Sequence, residues 1–114
     1  MKLRTMVLAF GFILMAALVL PPGVTAQGDA AAGKALYAKS CAGCHGAAGE
    51  PKAALAKALK VEMRHLGSKE VLAKSDAELR KDVLEGFGKM KPVKGLSDPD
   101  VNSVIAYLRG FAVQ

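Results

Sequence analysis

Cys41, Cys44 and His45 stand within five residues, CAGCH, and the chain has no other cysteine. Three chemistries use thiols at this spacing. A C-x-x-C pair acts as a redox dithiol when a βαβ unit presents it. Two cysteines and a histidine supply most of a structural zinc site, which needs four ligands. C-x-x-C-H is also the pattern at which haem is attached covalently. Two thiols three residues apart form thioethers with the two vinyl groups on one porphyrin edge. The next residue then lies under the iron, where a histidine can ligate it.

The elements that would position these residues separate the three chemistries. No segment alternates apolar and polar residues with β-branched enrichment, so no βαβ unit is expected to frame a dithiol. The second histidine, His65, is isolated, and no second ligand pair at finger spacing completes a zinc site. The chain reads instead as short helices separated by glycines. Asp29 is a good N-cap for a first helix running to about Ser40, with Gly33 and Tyr37 on one face. Gly43 to Gly49 reads as a loop. Pro51 suits a first helical turn, and Leu55, Leu59, Met63 and Leu66 recur at helical spacing up to Gly67. Ser75 and Glu78 fit a capping box before Leu79, Val83 and Leu84, with Gly86 as a stop. Ser97 and Asp100 open the last helix, with Leu96 stapled on Val101 and an apolar face of Val101, Val104, Ile105, Leu108 and Phe111. Between Gly86 and Ser97 lies GFGKMKPVKGL, helix-free and built around Met90.

Residues 1–26 read as a secretory leader. Lys2 and Arg4 precede an apolar run from Met6 to Leu20. Pro21, Pro22 and Gly23 end it, and small residues lead to cleavage after Ala26. The run is short for a membrane span of about 20 residues, so no stable membrane insertion is expected after cleavage, the alternative being an uncleaved N-terminal anchor. The remaining domain, residues 27–114, carries a net charge of +4 once Lys2 and Arg4 are gone. It is small and holds only four aromatic residues, Tyr37, Phe87, Tyr107 and Phe111. Domains of this size commonly need a staple or cofactor. A disulfide across three residues closes too small a loop to supply one. Haem attachment at CAGCH is therefore the expected chemistry.

The domain resembles a small monohaem class I c-type cytochrome of bacteria over nearly its whole length. CAGCH follows a first helix, Gly33 and Tyr37 precede it with Tyr107 in the last helix, and a methionine-bearing loop runs directly into that helix. The resemblance implies an all-α fold, a cytochrome c-like bundle of four or five short helices around one covalent haem c. Its N- and C-terminal helices would pack together through the glycine and the aromatics. It implies Cys41 and Cys44 as tethers, His45 as proximal ligand and Met90 as sixth ligand, the latter two being the metal ligands. Met63 and His65 are the other candidates for the sixth position, which is otherwise open. The family often has proline directly after the methionine; here Lys91 intervenes before Pro92. Pro51 is the nearby proline whose carbonyl would accept from the proximal histidine. No tryptophan is present to hold a haem propionate, and Arg64 is the substitute considered.

With both axial positions filled, the implied function is one-electron transfer in the periplasm, and no enzymatic activity is expected. Lys89, Lys91 and Lys94 around Met90, with Lys39 and Lys52 flanking CAGCH, would face acidic docking surfaces of a reductase, oxidase or dehydrogenase. An exported domain without a recognisable binding motif is not expected to bind nucleic acid. Two alternatives stand beside the carrier. One is a haem sensor with an open or weakly held sixth site; the other is a dedicated cytochrome subunit of a periplasmic oxidoreductase.

Overall fold

The computed structural model describes residues 28–113; the expected leader lies outside the described residues. Six α-helical segments follow in order: α1 (Ala30–Ser40), α2 (Ala42–His45), α3 (Ala53–Leu59), α4 (Lys69–Leu72), α5 (Asp76–Glu85) and α6 (Asp98–Leu108). A 3₁₀ turn, Arg109–Phe111, continues α6. Among the described residues the only β-type pairing is a single bridge between Phe87 and Met90. The fold is all-α, as expected. No helix of the described residues is long and apolar enough to cross a membrane.

The start signals act as their chemistry requires. Asp29 accepts from the Ala31 N–H at the head of α1. Ser75 with Glu78 and Ser97 with Asp100 each form a complete reciprocal capping box. Ser68 caps α4, a single turn that periodicity did not reveal. Leu79 and Val83 of α5 meet Val101, Ile105 and Leu108 of α6 to form the core, with Leu96 packed against it.

Helices α1 and α6 make the most extensive helix contact in the fold. They approach so closely that a Cβ on Gly33 would overlap the Ser103 carbonyl group, its carbon only 2.5 Å away. Beyond this crossing Tyr37 lies 2% exposed. Its ring meets Tyr107 and Phe111 edge-on, at centroid distances of 5.4 and 5.1 Å. The far end of α6 is fastened by Arg109, which donates to Asp76 Oδ1 and to the carbonyls of Leu72 and Lys74.

Two expected boundaries are corrected. Residues 42–45 form the helical turn α2, so the loop after the cysteines starts at Gly46 rather than Gly43. Helix α3 stops at Leu59, and Met63 and Leu66 lie beyond it. The stop is a Schellman motif: Val61 N–H donates to Ala56 and Lys60 N–H to Lys57. Lys60 holds the left-handed position, φ +55°, where glycine is usual. That conformation costs an L-residue roughly 1–2 kcal/mol. Lys60→Gly therefore raises the unfolding free energy by about 1 kcal/mol after glycine's own entropy cost. Denaturant titration checks this, and a loss of stability would contradict it.

Candidate functional site

The backbone turn α2 presents the CAGCH side chains. Cys41 caps it, and Cys44 and His45 lie three and four residues on, a spacing that places them on one side of a helical turn. Both thiols are free, Cys41 half-buried and Cys44 exposed. Burial, followed by the neighbouring Cys44 charge, pushes the Cys41 thiol above its ordinary range. Burial also lowers the His45 pKa, which favours the neutral imidazole. Its Nδ1 is buried and has no hydrogen-bond partner. Pro51 therefore does not accept from this ring, contrary to the expectation drawn from the resemblance.

The main chain around the turn is fixed from several directions. Cys41 N–H donates to the Tyr37 carbonyl at 2.8 Å. The Tyr37 hydroxyl donates to the Gly46 carbonyl at 2.7 Å and reaches the His45 carbonyl at 3.2 Å. Gly46 turns the chain out of the helix with φ +67°. Glu50 then folds back and accepts from Ala47 and Ala48. Main-chain N–H groups of Glu50 itself, Ala48 and Ala47 hold its carboxyl below the usual range. Lys52 Nζ donates to the Gly43 carbonyl at 2.9 Å.

Met90 lies on a separate element. Phe87 and Met90 exchange main-chain hydrogen bonds of 3.0 and 2.9 Å around Gly88 and Lys89. Gly88 has φ +56° and Lys89 does not enter the left-handed region, the pattern of a turn with glycine first. Gly86 allows the close return of the chain: a Cβ there would lie 2.6 Å from the Met90 carbonyl. Val93 N–H donates to the Val83 carbonyl of α5 and ties the segment to the core. Met90 itself is half-buried. Apolar periodicity carries no sign of this hairpin; its local signal is Gly88 at the first central position of the turn.

The other sixth-ligand candidates sit differently. His65 Nδ1 accepts from the Gly67 N–H at 2.9 Å, so that nitrogen is committed to a turn. Met63 is half-buried in the irregular segment after α3, outside the helical stripe that would have explained it as core. Arg64 makes a loose, exposed pair with Glu70 at 3.8 Å.

The donor set fits haem better than the two rival chemistries. Among the described residues no group of three or more Cys, His, Asp or Glu is arranged to hold a metal ion. The thiols are unpaired, and no βαβ unit frames them. Two free thiols with an imidazole on the next residue are the groups that covalent haem attachment uses. Several large apolar side chains are also left uncovered: Leu59 is 39% exposed, Leu84 36% and Phe87 63%.

Comparison with known proteins agrees with this chemistry. Residues 28–108 match a family model described as cytochrome c oxidase, cbb3-type, subunit III. The chain is 37% identical over 86 residues to cytochrome c-554(547) of Halothiobacillus neapolitanus, covering 71% of this chain and 94% of that protein. Its fold matches the solved structure of the KustC0563 c-type cytochrome with a TM-score of 0.59 and 31% identity, over 71% of this chain and 98% of that one. Sequence family, fold and the free C-x-x-C-H turn thus lead to one conclusion: the chain belongs to the small c-type cytochromes, whose haem c is covalently attached.

Proposed function

We propose that this protein is a periplasmic one-electron carrier with His45 and Met90 as axial ligands of a haem held by Cys41 and Cys44. In this reading the leader is removed after Ala26. Cys41 and Cys44 would hold the haem as thioethers, each thiol S–H having added across one vinyl group, sulfur to one carbon and hydrogen to the other. Bound haem supplies the one-electron Fe(III)/Fe(II) couple, and a methionine opposite a histidine raises its potential. The residues of the chain do the rest. The α2 turn holds the neutral His45 imidazole. The Phe87–Met90 hairpin, fastened through Gly86 and Val93, holds the thioether. A site filled on both faces leaves no position for a substrate, and this is why electron transfer is preferred over catalysis.

The placement of Met90 carries this reading. A methionine used only for packing needs no tight two-residue turn, and the buried core formed by α5 and α6 does not include it. The test is carbon monoxide added to the reduced protein. The expected result is an unchanged wild-type spectrum and ready binding by Met90→Ala. Prompt binding by the wild type would favour the sensor reading instead.

Partner choice follows from charge. Lys89, Lys91 and Lys94 are exposed around the hairpin, and Lys39 and Lys52 are exposed near α2. They would attract an acidic redox partner, and the attraction would be screened by salt. A dedicated subunit of an oxidoreductase is the second reading, supported by the description of the matching family as a cbb3-type oxidase subunit.

A further inference from the structure

We propose that Tyr37 is a positioning residue for His45, setting the direction of the proximal imidazole through the main chain on both sides of CAGCH. The inference rests on His45 being the proximal ligand. One residue touches both ends of the motif. The Tyr37 carbonyl accepts from the Cys41 N–H at 2.8 Å, at the entry to α2. The Tyr37 hydroxyl donates to the Gly46 carbonyl at 2.7 Å and approaches the His45 carbonyl at 3.2 Å, at the exit. The five residues are thereby bracketed by one side chain and its own backbone.

The bracket is stiff because its base is stiff. Tyr37 is 2% exposed, and its ring is wedged edge-on between Tyr107 and Phe111, which themselves meet at 5.0 Å. One turn earlier, Gly33 lies against Ser103 with no room for a side chain. The position of the phenol is thus set by the α1–α6 crossing. The buried hydrogen bond to Gly46 contributes to stability. Its second consequence is geometric. No partner at Nδ1 holds the His45 ring, so the ring's direction depends on the peptide from which it projects.

The test compares Tyr37→Phe with Tyr107→Phe in the haem-loaded, oxidised protein. Tyr37→Phe keeps the ring and removes the donor; Tyr107→Phe removes the neighbouring hydroxyl, which has no hydrogen bond to the motif, whereas that of Tyr37 does. The readout is the pattern of haem methyl resonances by paramagnetic NMR, well below the melting temperature. This pattern follows the orientation of the axial ligand. The expected result is a redistributed pattern in Tyr37→Phe and the wild-type pattern in Tyr107→Phe. A wild-type pattern in Tyr37→Phe, even with lowered stability, overturns the inference and leaves Tyr37 a packing residue.

If Tyr37→Phe does not mature, a second variant decides. The chain has only two tyrosines, so Tyr107→Phe protein made with 3-fluorotyrosine carries a single altered phenol, at position 37. Fluorine makes that phenol a stronger donor. Displaced methyl resonances relative to unlabelled Tyr107→Phe support positioning, and unmoved ones overturn it. An oxidised wild-type spectrum without a histidine signature would overturn the ligation itself. A histidine signature with an unmoved pattern overturns only the role of Tyr37.

Discussion

Gly33→Ala lowers the unfolding free energy of the haem-loaded protein by about 2–3 kcal/mol, in the range of overpacking penalties. Two effects oppose each other at this site. Alanine in a helix interior is intrinsically better than glycine by about 1 kcal/mol. Against this, the added Cβ would overlap the Ser103 carbonyl and come to 3.0 Å from the Tyr107 Cβ. A side chain could rotate away, but a main-chain carbonyl inside α6 is held by its own helix. The helices must separate, which loosens the contacts of Tyr37 with Tyr107 and Phe111. Overlap therefore wins. For a domain of under 100 residues this loss corresponds to a melting temperature roughly 10–20 °C lower. The internal control is Gly43→Ala, since a Cβ there meets nothing within 4 Å. Calorimetry should find Gly43→Ala close to wild type. Equal melting of wild type and Gly33→Ala would show that the crossing relaxes without cost.

The second large effect is on the cofactor. Replacing Cys41 and Cys44 together by serine removes all covalently held haem, because the chain has no other thiol. Haem staining of the denatured polypeptide should fall to background, and acidic acetone should extract any haem that remains. Folding should suffer as well. Among the described residues seven apolar ones are buried, Tyr37, Leu79, Val83, Val101, Val104, Ile105 and Leu108, all of them on α1, α5 and α6. A core of that size contributes no more than about 3–5 kcal/mol in so small a domain. The segment around α3 contributes no buried side chain of its own. The double variant is expected to lose most helical circular dichroism or to be degraded before purification. A fully helical double variant, or one that keeps haem through denaturation, would contradict this.

How much of this was legible in the sequence depends on how local each cause was. Asp29, Ser75 and Ser97 act on N–H groups two or three residues away, so their capping role could be read directly. The motif CAGCH and the irregular run before α6 were also readable, since each rests on residue type and spacing; the α1–α6 pairing through Gly33 and Tyr37 came from the family resemblance. The end of α3 was not. The apolar spacing continues through Met63, and the residue that stops the helix is a lysine in a conformation that glycine normally signals. The hydroxyl contact of Tyr37 and the four-way fastening of Arg109 were not readable either. Arg109 reaches groups 33 to 37 residues away, and such contacts exist only after α6 has docked. Within the site, the C-x-x-C-H spacing, read with the small exported domain around it, made the thiols and His45 the candidates. Met90 followed from its loop and the resemblance, and the hairpin that shapes that loop emerged from the structure.

The most direct test of the account is the weak sulfur-to-iron absorption of the oxidised protein in the near infrared. The account predicts this band in the wild type and its complete loss in Met90→Ala, with haem still attached through Cys41 and Cys44. A band that survives in Met90→Ala would assign the sixth ligand elsewhere, with Met63 as the remaining thioether of the domain, and would contradict the ligation on which the carrier function rests.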